Sequence, residues 1–263
     1  MIARRTFFRV ASGGLAFALG AGPGRAQPGG PTVAAASDLS AALPEIAAQF
    51  RRRTGQNVRL TFGSSGNFTQ QILNGAPYEV FLSADEAYVE TLRQAGRGEG
   101  PGVLYAIGRI GLFSPKGSPV QVDGALAGLG RALRAGQVSK VAIANPEHAP
   151  YGRAAREALQ AAGLWDDLQG KLVLGENVSQ ATQFAVAGGA QAGVIPLSLA
   201  LTAPVKAAGT FALIPEDRHK PLRQRATLLT GAGATARAFY TFLQGAEARA
   251  IFTRYGFTVP GGR

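Results

Sequence analysis

Residues 32–50 read TVAAASDLSAALPEIAAQF. Thr32–Ser37 is a short apolar run with the length of a strand. Beyond it Leu39, Leu43, Ile46, Ala47 and Phe50 recur at the spacing that lays one apolar stripe along a helix. A strand that passes through a polar loop into a helix is a βα unit. Pro44 fits near the start of that helix, because first-turn amides have no internal partner for proline to forfeit. The helix is therefore expected to begin just after Ser37, with several amides left free.

The same unit recurs outward from this stretch. Strands are expected at Val58–Phe62, Glu79–Ser83, Leu104–Ser114, Lys140–Ala144, Lys171–Leu174, Ala192–Ile195, Thr210–Ile214 and Ala226–Thr230. Ala154, Ala155, Ala158, Leu159 and Ala162 mark a later helix. Alternation of strand and helix implies an α/β fold with largely parallel sheets. Gln94–Val103 and Pro115–Gly130 are rich in Gly and Pro and read as loops. The long strand Leu104–Ser114 and the segment Lys220–Ala226 are the expected crossings between two lobes. The first lobe is then 27–108 with 223–263, and the second is 109–222.

Residues 1–26 stand apart. A basic start, the apolar VASGGLAFALGAG and the small-x-small site Gly24-Arg25-Ala26 form an export signal. Arg4-Arg5 before Thr6-Phe7-Phe8 resembles a twin-arginine signal. Of the formal charge of +11, Arg4, Arg5, Arg9 and Arg25 belong to this segment, so the mature chain carries +7. That charge favours anions at long range. It does not make a nucleic-acid surface, because the cations are scattered. The one run, Arg51-Arg52-Arg53, closes a helix, where cations oppose the negative end of the dipole. Cysteine is absent among 263 residues, which excludes disulfides, a thiol nucleophile and a lipid-attachment cysteine. No apolar run is long enough to span a membrane. A soluble periplasmic protein, not lipid-anchored, is expected.

Catalytic motifs are sparse. Gly231-Ala232-Gly233-Ala234-Thr235-Ala236 matches G-x-G-x-x-A but stands too near the C-terminus for a following βαβ unit, and reads as a strand-to-helix turn. His148 and His219 lie in loops, without metal spacing and without G-x-S-x-G. Asp166-Asp167 reads as a helix-start cap. An ester hydrolase would need a histidine or a carboxylate cluster that the sequence does not supply; turnover of a chromogenic phosphate ester is its test. A nucleic-acid-binding domain would show steep salt dependence.

What remains is a repeated arrangement. Four expected strands end in loops that open helices: Ala36-Ser37-Asp38, Gly63-Ser64-Ser65-Gly66-Asn67, Asn145 to Tyr151-Gly152, and Glu176-Asn177-Val178. Ligands of open α/β sheets bind beyond the carboxyl ends of strands. Each helix start offers free N–H groups and a partial positive charge. With the hydroxyls of Ser37, Ser65 and Tyr151 they make a nest of neutral donors, suited to a small dehydrated oxyanion. Each loop taken singly is a helix cap, with Asn67 the expected cap of its own helix.

The separated stretches VAAASDLSAALPEIAAQF, FGSSGNFTQQI, GAPYEVFLSADEAYVE, ANPEHAPYGRAAREAL, IPEDRHKP and IFTRYGFTV together resemble the periplasmic molybdate-binding proteins of ABC importers, across residues 32–258. The resemblance implies a type II periplasmic-binding-protein fold of two α/β lobes, each a mainly parallel sheet flanked by helices. It implies a monomer without cofactor or enzymatic turnover, whose ligand is molybdate or tungstate and whose partner is a membrane permease. No direct metal-ion ligands are implied, since molybdenum is held as its oxyanion. The residues so implied are Ser37 and Ser65, with hydroxyl and backbone donors, and the backbone N–H groups of Tyr151 and Val178. Asp38 would add its amide, its carboxylate turned away as a cap, since a carboxylate facing the anion repels it. Three positions depart from the pattern. Pro196 stands where many members have tyrosine, and the Tyr151 hydroxyl is expected to replace that phenol. Gly66 replaces a frequent serine and would let the anion approach closer. Glu79 replaces a common aspartate and reads as structural. These departures leave the oxyanion class intact and open the choice between molybdate and another tetrahedral anion such as sulfate.

Overall fold

The computed structural model describes residues 29–260; the expected export signal lies outside them. In chain order the elements are β1 Thr32–Ala36, α1 Ala42–Thr54, β2 Arg59–Gly63, α2 Ser65–Leu73, β3 Val80–Ser83, α3 Glu86–Gln94 and β4 Gly98–Gly108. Then follow β5 Ile110–Pro115, α4 Ala127–Arg134, β6 Val141–Ala144, α5 Pro150–Ala161, β7 Leu172–Gly175, α6 Val178–Val186 and β8 Ala192–Pro196. The chain ends with α7 Leu197–Ala200, α8 Ala203–Ala208, β9 Gly209–Leu213, β10 Leu222–Leu229, α9 Ala234–Phe242 and α10 Ala246–Arg254.

Two five-stranded sheets result, with orders β2-β1-β3-β10-β4 and β7-β6-β8-β5-β9. Both are mixed. In the first, β2, β1 and β3 run parallel, and β10 is antiparallel to its neighbours β3 and β4. In the second, β7, β6 and β8 run parallel, and β5 is antiparallel to β8 and β9. The central strand β1 is buried on both faces, which is why it reads as an unbroken run of Val and Ala rather than as an alternation. Helix α1 buries Leu43, Ile46 and Phe50 on one stripe. Phe50 meets Phe239 of α9 edge-on at 5.2 Å between ring centres, which ties α1 to a helix near the C-terminus. Arg51, Arg52 and Arg53 occupy its last turn, and Gly55 at φ 72° closes it in the left-handed conformation that glycine adopts without strain.

Three boundaries differ from the sequence reading. The helix expected directly after Ser37 is a single 3-10 turn, Ser37–Leu39, and α1 starts only at Ala42. The expected strand Leu104–Ser114 is two strands in two sheets, divided at Arg109 where the chain crosses over. Its N-terminal half extends back to Gly98, through a stretch whose composition reads as loop. Gly100, Pro101 and Gly102 are tolerated because β4 is the edge strand of its sheet, paired along this stretch by β10 alone and with register shifts; its other side meets only Thr258, at Ile107. Asp166 and Asp167 lie inside a 3-10 turn, not ahead of it, and make no side-chain cap. The glycines at 231 and 233 form the turn between β10 and α9, and Glu79 accepts the Gly233 amide at 2.8 Å, both structural roles.

Candidate oxyanion site

The carboxyl ends of β1 and β2 face those of β6 and β7 across a cleft between the sheets. Ser37, Ser65, Tyr151 and Val178 all line one small cavity there, of about 10 Å³; Ala36, Asp38, Ser64 and Pro150 are among its other walls. Ser65 and Val178 are the first residues of α2 and α6, and Tyr151 is the second of α5. Amides at those positions have no intrahelical carbonyl to bond. Three helix N-termini thus point their partial positive charge at one space.

The serine hydroxyls are set as donors. Ser65 Oγ accepts the Ala84 amide at 3.0 Å, and Ser37 Oγ accepts the Ser179 amide at 3.2 Å. A hydroxyl whose oxygen already accepts an N–H has its hydrogen left to give. Among the described residues no Lys or Arg lines the cavity. Such a site can hold an anion by neutral donors only.

The caps differ in detail from the sequence reading. Ser64, not Asn67, caps α2, accepting the Asn67 amide at 3.4 Å; the Asn67 side chain reaches across to Glu176. Asn177 caps α6, accepting the Gln180 amide at 3.1 Å. Asn177→Ala is expected to cost about 1 kcal/mol of stability, the ordinary worth of such a cap, measured by thermal melting.

Asp38 departs most. Its carboxylate is no cap: it is fully buried, and Oδ2 accepts the Tyr151 hydroxyl at 2.9 Å and Gln224 Nε2 at 2.6 Å. Tyr105 donates to Gln224 Oε1 at 2.7 Å, which fixes the amide's orientation. Burial pushes the Asp38 carboxyl up to about 7, against the Gln224 and Tyr151 hydrogen bonds that hold it down. Burial, and then the Asp38 charge, push the Tyr151 phenol well above its ordinary value. The single hydrogen of the Tyr151 hydroxyl is therefore committed to Asp38, and does not act as the free phenol expected in place of the residue at 196. Gly108, at the crossing, makes the room, since a Cβ there would collide with the Tyr151 hydroxyl.

The two halves of the site touch. The Gly66 amide donates to the His148 carbonyl at 2.9 Å, and His148 Nδ1 lies 3.0 Å from Ser64 Oγ. Arg153 of α5 pairs with Asp85 and donates to the Tyr88 hydroxyl at 2.8 Å. Ser198 Oγ donates to the Asp38 carbonyl at 2.7 Å. A Cβ on Gly66 would fall 2.6 Å from the His148 carbonyl oxygen and 2.9 Å from the Tyr88 hydroxyl. Gly66 thus admits the opposite lobe, rather than the anion itself.

The sequence reading missed Gln224, Tyr105, Ser179 and Ser198. Only Gln224 carried a signal: in Leu222-Arg223-Gln224-Arg225-Ala226 the period of two places Gln224 on the buried face between two outward arginines.

Two mixed sheets with a donor-lined cleft between their strand ends define the class: a two-lobed α/β binding protein. Comparisons with known proteins agree. The family described as "Bacterial extracellular solute-binding protein" matches residues 31–258. The molybdate-binding protein ModA of Rhodobacter capsulatus is 38% identical over 250 residues, covering 94% of this chain and 95% of that protein. ModA of Azotobacter vinelandii is 37% identical over 248 residues, covering 92% of this chain and 96% of that one. The solved structure of the Azotobacter vinelandii periplasmic molybdate-binding protein superposes with a TM-score of 0.79 at 34% identity, over 88% of this chain and 99% of that chain. The chain belongs to the bacterial extracellular solute-binding protein family.

Proposed function

We propose that this protein captures molybdate, or tungstate, between its lobes and delivers it to the membrane permease of an ABC importer. The carrying observation is the small cavity walled by three helix N-termini and two donor-set serine hydroxyls, with no Lys or Arg among the described residues that line it. Ser37 and Ser65 give hydroxyl hydrogen bonds, and the amides of Tyr151 and Val178 give theirs from the opposite side. The names of the relatives support the same ligand. The protein works as a soluble periplasmic monomer without cofactor or turnover, exported by its twin-arginine-like segment at 1–26. Its first lobe comprises 27–108 and 223–263, and its second 109–222.

Binding selects the closed arrangement, because only that one brings both sets of donors to the anion. Molybdate, tungstate and sulfate carry the same charge, so the discrimination lies in cavity size and donor spacing. Calorimetry on the apoprotein, with competition among the three anions, tests the reading. Molybdate and tungstate are expected to bind and to exclude sulfate; absence of heat with molybdate, or equal affinity for sulfate, overturns it.

Closure also gives a test. Gly66→Ala puts a methyl group against the His148 backbone of the opposite lobe, which cannot yield, and against the Tyr88 hydroxyl of its own lobe, a side-chain end that can, so the strain falls chiefly on the closed form. Overpacking of this kind costs about 1–3 kcal/mol. Molybdate affinity is expected to fall by a factor of about 5–150 in calorimetry, with the melting temperature of the apoprotein nearly unchanged.

A further inference from the structure

Asp38 is the one charged residue among the described residues in the wall of the cavity. Its place there conflicts with a site for a dianion, since two like charges in a buried space repel strongly. The geometry around the carboxyl shows how the conflict is resolved. One oxygen, Oδ2, accepts two hydrogen bonds, from the Tyr151 hydroxyl and from Gln224 Nε2. The other, Oδ1, is buried with no hydrogen-bond partner. A buried carboxylate oxygen left bare is costly, whereas the same oxygen carrying a proton is a donor in search of an acceptor. The elements packed around Asp38 present Tyr151 from α5, Tyr105 from β4, Gln224 from β10, Ser198 from α7 and Ser179 from α6. The titratable ones are two phenols, and no cation is among them. His148 and Glu176 face each other at the mouth, where His148 is bonded to Ser64 instead.

We propose that the anion is captured together with one proton, which Asp38 takes up on Oδ1, so that the acid joins the serines as a neutral donor to the oxyanion. This rests on the oxyanion reading of the site. The balance is simple. The carboxylate and a solvent proton become a carboxylic acid, and the dianion enters with its charge unaltered. The buried space then holds two negative charges instead of three. The ionisation of Asp38, raised to about 7 by burial in the closed arrangement without anion, makes the uptake easy near neutrality, and the dianion raises it further. Tyr151 and Gln224 act through Asp38: by occupying Oδ2 they leave Oδ1 as the place for the proton. Capture is thereby strongest on the acid side of neutrality and weakens in alkali.

The test is calorimetry of molybdate binding in HEPES and in Tris at matched pH, since the difference in buffer ionisation heats counts protons. At pH 8 the wild-type protein is expected to take up close to one proton per anion. Its dissociation constant should rise up to tenfold per pH unit between pH 8 and 9. Asp38→Asn keeps the shape and can still bond Gln224 and Tyr151; it is expected to bind with no proton uptake and a flat pH profile. An infrared difference spectrum on adding molybdate to the wild-type protein should show a carboxylic-acid carbonyl band appearing, a readout that needs no variant. Molybdate binding without proton uptake, or a pH slope that survives in Asp38→Asn, overturns the inference while leaving the oxyanion site standing. Failure of the wild-type protein to bind molybdate at any pH sinks the oxyanion reading instead.

Discussion

Replacing Ser37 and Ser65 together by alanine is expected to weaken molybdate binding by a factor of about 10²–10⁴ while the chain still folds. Each hydroxyl oxygen is held by a backbone amide, Ala84 on Ser65 and Ser179 on Ser37, so each hydrogen is aimed by the fold rather than by the ligand. A hydrogen bond to a charged group is worth about 1.5–3 kcal/mol, and the pair therefore about 3–6 kcal/mol. The surrounding cavity offers no cation to take up the loss. A structural cost accompanies it. The buried Ala84 amide loses its acceptor, which costs about 1–3 kcal/mol of stability. Calorimetry with molybdate measures the first effect and thermal melting the second. Unchanged affinity in the double variant would place the anion elsewhere.

The apoprotein is expected to lose about 3 kcal/mol of stability between pH 5 and pH 8, and Asp38→Asn to abolish most of that loss. The Asp38 carboxyl is raised in the folded protein, from 3.8 to about 7, because folding takes it out of water. The folded state therefore holds a proton that the unfolded state has released throughout that interval. Stability is full below 3.8 and declines as pH rises towards 7, the reverse of an aspartate in an ion pair. Carboxylates held low by a partner, such as Glu90 beside Arg93 at about 2, titrate below this window and do not mask it. For a chain of this size the loss corresponds to a fall of roughly 6–12 °C in melting temperature. A flat melting profile between pH 5 and pH 8, or the same slope in Asp38→Asn, would contradict the assignment.

Both predictions concern residues at strand ends, Ser37 and Asp38 after β1 and Ser65 after β2, yet they were legible to different degrees. Ser37 and Ser65 could be named from their place at strand ends ahead of helices, because helix starts and hydroxyl donors are local chemistry. Asp38 carries the same local signature and was read as a cap. Its partners, Tyr151 and Gln224, lie 113 and 186 residues further along the chain, and nothing near residue 38 announces them. Burial by distant segments changes a cap residue into a buried acid. Gly66 shows the same limit. Its missing side chain was visible, but not that the opposite lobe, rather than a ligand, fills the space. The Gly-Pro stretch before Val103 was misread for a related reason: composition registers turn chemistry, whereas the edge of a sheet tolerates it.

The sequence by itself determined the α/β class, the βα units, the neutral-donor character of the loops and four of the residues that line the cavity. These follow from periodicity, from capping chemistry and from resemblance along the chain, all carried by neighbouring residues. The tertiary structure decided which hydroxyls are free to give a hydrogen, that the Tyr151 phenol is spent on Asp38, and that Asp38 sits buried in the wall. Those are properties of pairs brought together by the crossings at Arg109 and before Leu222, and a hydrogen bond's direction depends on both partners.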